Sequence, residues 1–408
     1  MAPFTVSEGD ICNLSNDLLM NILSRLPPKS LTMFKCVSKT FHLLVSTFIH
    51  SPTVVPRPMS GLFVGNVDLL KGKLESFEYF NLKDDEIDID DETNINYSLS
   101  FLPCNPDTRI VDCRDGVLLC ASENLFGRNN YYVCNPVTQQ WVALPPPPKR
   151  ECCSQCNFDV SLALVLDESS DCFFSHYKVI QFFTIYGENL KVDVDSSKDE
   201  VEEPLADLYV YMYSSQTGQW VESNGCLKGM SIILLEKPPV FFNGALLLPA
   251  DPTHFVMFDV EKEDCEVFSL RPYSGTAWYI PSNCLGESQG CLNYAHHNGS
   301  TMEVWMTHST NSGEWILKHR INLDDIEFPE PSEDSNPITE EPLDILAFHP
   351  NKDVIFLRDQ GDFFCYDFTS GELETIMCYD SSTTADMWFR VFPFSECLRI
   401  LANAHRNF

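Results

Sequence analysis

One unit recurs through most of this 408-residue chain: a run of apolar and aromatic residues, a polar turn, then a second short run that carries another aromatic. It reads YYVCNPVTQQWVALP at 131–145, VYMYSSQTGQWVES at 210–223, FVMFDVEKEDCEVFSL at 255–270, VWMTHSTNSGEWILKH at 304–319 and FFCYDFTSGELETI at 363–376. Short apolar runs of this composition around a turn predict β-hairpins. Gly218, Gly313 and Gly371 occupy matching turn positions, where a positive φ calls for glycine. Gly218 and Gly313 are 95 residues apart with the EKED turn near their midpoint, so the repeat is about 47 to 48 residues long, close to a four-stranded propeller blade.

A second, glycine-marked strand pair precedes several of these hairpins: DGVLLCAS at 115–122, FFNGALLLP at 241–249, LGESQGCLNYAH at 285–296 and DILAFHPNKDVIFLRD at 344–359. These supply the inner strands of the same blades. The stretch from residue 60 onward allows six to eight blades at that period, and seven is the favoured count. The intervals 139–218 and 313–371 break the period, and acidic insertions at 83–92, 192–204 and 324–342 are the expected cause, as solvated loops.

The first 50 or so residues are of another kind. Leu14, Leu18, Ile22 and Leu26 recur at i+4 with Leu19 and Leu23 beside them, which gives a helix one wide apolar face. Ser15 or Asn16 caps it, and Pro27 and Pro28 end it. A second helix after Ser30 buries Leu31, Phe34 and Val37, and a third after Ser38 buries Phe41, Leu44, Val45 and Phe48. Three helices of this size bury too little surface to stand alone, so the module is expected to complete its core with a partner. The organisation is a tail at 1–11, the helical module at 12–50, a proline-rich linker at 51–59 and the β region at 60–408.

Charge narrows the partners. The chain carries 27 Lys+Arg against 59 Asp+Glu, net −32. Five Lys/Arg and three Asp/Glu fall in the first 60 residues, so the acidity belongs to the β region. A field of that sign repels phosphate backbones and anionic headgroups, which argues against nucleic acid and membrane surfaces and favours a protein partner with a basic patch. The N-terminus lacks the basic start of a secretory signal, no run is long and apolar enough to span a bilayer, and 17 cysteines sit in apolar segments as core thiols would. The expected setting is cytoplasmic or nuclear.

The segment LSNDLLMNILSRLPPKSLTMFKCVSKTFHLLVSTFIHSP resembles an F-box, through Leu26-Pro27, Lys29-Ser30-Leu31, Phe34-Lys35-Cys36-Val37-Ser38-Lys39 and Phe41. It departs in having Leu14-Ser15 where Leu-Pro is usual and Phe41 where tryptophan is frequent. The remainder resembles the kelch-like F-box-associated β-propeller region of plant F-box proteins, through Asp112-Cys113-Arg114-Asp115-Gly116-Val117-Leu118-Leu119-Cys120, Asn135-Pro136 to Trp141 with Leu144-Pro145-Pro146, Phe242-Asn243-Gly244-Ala245-Leu246, Phe258 to Glu263 and Met302 to Met306. The resemblance implies a mainly β protein with an N-terminal three-helix F-box. It also implies a non-catalytic target receptor that binds a Skp-type adaptor and, through it, the cullin and RING subunits of a ubiquitin ligase. Leu14, Leu18, Ile22, Leu23, Leu26, Pro27, Leu31, Phe34, Val37 and Phe41 are the candidate adaptor-binding residues. The rival readings are a scaffold that works outside the ligase and a metal-dependent propeller oxidase.

Other candidates have plainer readings. Cys152, Cys153 and Cys156 with His176 lack the second half of a zinc site, and no cofactor is expected. His296-His297 reads as a satisfied core or loop pair. Trp141, Trp220, Phe268 and Trp315 repeat at blade spacing and read as packing between sheets.

Overall fold

A computed structural model describes residues 18–19, 59–68, 73–82, 95–103, 108–123, 129–148, 157–167, 176–186, 206–230, 237–250, 254–269, 283–310, 314–329, 343–377, 387–397, 399 and 401–406. The first two strands are β1 (Gly61–Asp68) and β2 (Lys73–Asn81). Blade 1 is β3 (Thr108–Arg114), β4 (Val117–Glu123), β5 (Asn129–Asn135) and β6 (Gln140–Ala143). Blade 2 is β7 (Asn157–Leu166), β8 (Tyr177–Tyr186), β9 (Ala206–Ser214) and β10 (Gln219–Glu222), with β11 (Leu227–Met230) also pairing β9. Blade 3 is β12 (Val240–Phe242), β13 (Ala245–Pro249), β14 (His254–Asp259) and β15 (Asp264–Ser269). Blade 4 is β16 (Asn283–Ser288), β17 (Cys291–His297), β18 (Thr301–Thr307) and β19 (Ile316–Asn322). Blade 5 is β20 (Asp344–Phe348), β21 (Val354–Asp359), β22 (Asp362–Asp367) and β23 (Leu373–Met377). The sixth blade joins the two ends of the described chain: β24 (Met387–Phe394) pairs β1, which pairs β2. A final strand, β25 (His405–Arg406), adds to the outer edge of blade 1 against β6.

The architecture is a six-blade β-propeller, and the favoured count of seven is corrected to six. The five hairpins read from the sequence are the outer pairs of blades 1 to 5, and the glycine-marked runs fall on their inner strands. Dividing the length by a fixed period overcounts for two reasons. Blade 2 uses ten-residue strands with long connections, and the last blade draws its strands from distant parts of the chain, where no linear period can reveal it.

Strand alternation explains why the ring closes. In β4, Val117, Leu119 and Ala121 enter the core between blades 1 and 2, while Leu118 and Cys120 enter the core between blades 6 and 1. In β13, Leu246 and Leu248 face blade 2, while Ala245 and Leu247 face blade 4. In β21, Ile355 and Leu357 face blade 4, and Phe356 faces blade 6. A strand buried on both faces reads as an unbroken apolar run, which is what VLLCA, ALLL and VIFL are. Each pair of neighbouring blades shares one such core, so every sheet is covered on both sides.

The outer turns share a construction. Asn135 Oδ1 accepts the N–H of Val137 and Thr138, Asp259 Oδ1 those of Glu261 and Lys262, and Asp367 Oδ1 those of Thr369 and Ser370. Four residues on, the chain enters positive φ at Gln139, Glu263 and Gly371. Gly218 has a φ of 69° in the matching turn of blade 2, as the sequence predicts, whereas Gln139 and Glu263 make the same turn without glycine. Gly313 lies outside the described residues. The 324–342 insertion is only in part the solvated loop expected, because a 3₁₀ turn covers Leu323–Asp325, and Ile326 is buried with Phe328 in the core between blades 4 and 5.

Candidate functional site

Inner strands β3, β7, β12, β16, β20 and β24 surround the propeller axis, and contacts near their ends show that most of them finish on one face. The Arg114 guanidinium at the end of β3 lies 4.6 Å from the Phe241 ring centroid on β12. Arg114 Nη2 donates to Phe241 O at 3.1 Å and lies 3.4 Å from Glu287 Oε2 on β16. One side chain thus bridges blades 1, 3 and 4 across the axis. Ser288 Oγ, at the end of β16, donates to His349 O at 2.7 Å in the turn after β20. Behind these contacts, both Asp112 carboxylate oxygens accept backbone N–H groups, from Cys113 at 2.8 Å and from Leu164 of blade 2 at 2.6 Å, and burial pushes the carboxyl up to about 6.

The polypeptide from the N-terminal region enters on this same face. Met59 is buried between blades 5 and 6. Ser60 N–H donates to Phe394 O at 2.7 Å, and its Oγ accepts Glu396 N–H at 3.2 Å. From there the C-terminal segment straps across blade 1. Asn135 Nδ2 donates to Cys397 O and Arg399 O at 3.1 and 3.0 Å, and Leu401 N–H donates to Gln140 Oε1 at 3.2 Å. Cys397 and Leu401 are buried between blades 1 and 2. The opposite face bears the β8–β9 and β19–β20 connections, the two places where the 192–204 and 324–342 acidic stretches are attached. The 83–92 stretch follows β2 and is attached on the entry face.

Of the ten candidate adaptor-binding residues only Leu18 is described: it has helical backbone and is 55% exposed, with Leu19 beside it at 9%. Leu14, Ile22, Leu23, Leu26, Pro27, Leu31, Phe34, Val37 and Phe41 lie outside the described residues, as do Cys152, Cys153 and Cys156. His176 is described, with Nδ1 3.5 Å from Ser215 Oγ. The nine described cysteines are all free thiols. Among the described residues, no helix is long and apolar enough to cross a membrane.

His296 and His297 lie buried in β17. His297 Nε2–H donates to Leu343 O at 2.7 Å and Nδ1 accepts Gly299 N–H at 3.2 Å, so the neutral ring is fully used, and burial lowers its pKa. The four repeated aromatics are half-buried and pack against the inter-blade cores. Trp141 meets Tyr132 edge-on at 5.9 Å and Phe268 stacks on Phe255 at 5.5 Å, as structural residues do. Sequence reading missed the contacts made by Asp112, Arg114 and Lys237. Lys237 is held by Asn283 through the backbone O and, at 2.9 Å, Oδ1, and burial lowers its pKa.

The family model for "F-box protein At3g26010-like, beta-propeller" matches residues 95–390, and the F-box domain model matches residues 11–50. The chain belongs to this family of F-box proteins. It is similar to F-box protein At5g07610 of Arabidopsis thaliana, 29% identical over 349 residues that cover 80% of this chain and 75% of that protein. It is also similar to the putative F-box/kelch-repeat protein At1g15680 of the same plant, at 26% over 341 residues, covering 76% of this chain and 72% of that one. Among solved structures, a prolyl endopeptidase matches at a TM-score of 0.31 and 11% identity, over 66% of this chain and 34% of that chain, which is too distant to carry an argument. An F-box joined to a propeller makes this F-box protein one of the substrate-receptor type.

Proposed function

We propose that this F-box protein is the target-recognition subunit of a Skp–cullin–RING ubiquitin ligase in the cytoplasm or nucleus. The observation that carries the reading is the F-box match at 11–50 in the same chain as the propeller match at 95–390. Leu18, one of the candidate adaptor contacts, lies on helical backbone and is 55% exposed. The F-box residues Leu14, Leu18, Pro27, Leu31 and Val37 hold the adaptor. The propeller, whose blades are of the kelch-like kind, holds the target on the face opposite the chain entry. Its contribution is positioning, and ubiquitin transfer is carried out by other subunits. Net charge of −32 favours a target with a basic patch.

The test is co-purification with a Skp-type adaptor, comparing wild type with the Leu18→Asp/Leu31→Asp double variant. Adaptor capture by wild type and its loss in the variant, with the propeller melting unchanged, is the expected result. No capture by wild type at low salt would remove the chain from the ligase. Once a target is in hand, its binding should weaken as salt rises.

A further inference from the structure

Beyond the adaptor and the target, the connection leaving blade 1 carries a separate docking feature. After β6 the chain runs Leu144-Pro145-Pro146-Pro147-Pro148. Each proline fixes φ near −65° and restrains the residue before it to extended backbone, so covalent geometry alone makes this run a polyproline II helix with three residues per turn. The burial pattern shows that period. Leu144 is buried and Pro147 half-buried, three apart on the side facing the propeller, while Pro145, Pro146 and Pro148 are exposed. Pro145 and Pro148 therefore present their rings on one outward ridge.

The run is also fixed in place. Leu144 N–H donates to Tyr131 O at 2.9 Å, and Trp220 Nε1 of blade 2 donates to Pro145 O at 2.8 Å. A ridge that is already rigid loses little conformational entropy on binding. The four prolines offer no N–H groups for a strand to pair with, so their ring faces and carbonyls are what a partner can read. We infer that Pro145–Pro148 is a recognition site for a protein domain that reads P-x-x-P in an aromatic-lined groove of the SH3 type. Lys149 and Arg150 follow in the sequence, which favours a groove with an acidic rim. The site does not depend on the F-box or on target capture.

The test titrates the full chain into an isotope-labelled recombinant SH3 domain that prefers P-x-x-P followed by a basic residue. Wild type is expected to shift the resonances of the groove aromatics. The Pro145→Ala/Pro148→Ala variant should bind at least about tenfold more weakly, as expected where two anchor rings are lost. The Pro146→Ala control, which leaves the ridge intact, should bind like wild type. Thermal unfolding of each variant separates lost binding from lost fold. Shifts outside the aromatic groove, equal binding by the double variant and wild type, or no wild-type binding would each overturn the inference and leave the prolines as a stiff spacer.

Discussion

Blade 3 and blade 6 do the same packing with strands of very different origin. Blade 3 runs continuously from Val240 to Ser269, and each of its strands pairs the next through a short turn. Blade 6 pairs β1 with β24 in a register that sets Gly61 opposite Phe394, so the two ends of the described chain must meet before the sheet exists. Both are buried on both faces: Phe258 lies in the core between blades 2 and 3, and Phe63 and Phe394 lie in the core between blades 6 and 1. Burial is thus similar in the two blades while the chain entropy spent on closure is not, and the ring's cooperativity rests on the blade whose contacts are least local.

The largest effect follows from removing that closure. A chain ending at residue 386 lacks β24 and the strap, which leaves Leu62, Phe63 and Val64 of β1 without the strand they pair with on the inner side. It should lose its single cooperative melting transition. Phe258→Ala in blade 3 should instead cost about 3 to 5 kcal/mol and keep one transition. Calorimetry on the two proteins decides the matter, and a cooperative, wild-type melt for the shortened chain would show that closure is not what holds the ring.

This asymmetry also explains what could be read from the sequence. The outer hairpins of blades 1 to 5 were legible because turn and strand signals lie side by side, as in Asp367 to Gly371. Blade 6 was not, since nothing in GLFVGNVD points to a partner such as MWFRVFPF. The Arg114–Phe241–Glu287 bridge was hidden for the same reason, with its members on three separate blades. The burial of His296 and His297 was legible because their strand is largely apolar, yet the partner of His297, Leu343 O, could come only from the fold. In the F-box the apolar pattern and the family resemblance together named ten residues, of which the described structure places Leu18.

A matched pair of glycines sharpens the comparison at smaller scale. Gly116 and Gly244 each follow the first strand of a blade and have φ of 79° and 81°. A Cβ on Gly244 meets nothing within 4 Å, whereas one on Gly116 would collide with Ser395 O of the strap and crowd Cys397. Gly244→Ala should therefore cost about 1 to 2 kcal/mol, the left-handed penalty alone. Gly116→Ala should cost about 3 kcal/mol or more, because backbone and strap must also move. Equal losses in chemical denaturation would mean that the strap contributes nothing to blade 1.

A pH dependence of opposite sign separates two further parts of the ring. In blade 5, His349 Nδ1 accepts the N–H groups of Asn351 and Lys352, both at 3.0 Å, and burial together with nearby Lys352 lowers the ring to about 4. Protonation at Nδ1 would break both bonds, so this contribution is complete above about 6.5, the unfolded value, and is lost as pH falls toward 4. In blade 1, burial raises Asp112 to about 6, so its contribution is complete below the usual carboxylate value and is lost as pH rises through 6. His349→Asn keeps an acceptor but cannot titrate. It should remove about 2 kcal/mol of the wild-type loss between pH 6.5 and 4, less than the full shift because the ring is not wholly shielded from water. Asp112→Asn should change the slope the other way, making the protein relatively more stable at pH 6 than at pH 4 when compared with wild type. Melting curves across pH 4 to 7 test both, and variant profiles parallel to wild type would mean that neither group titrates differently in the folded ring.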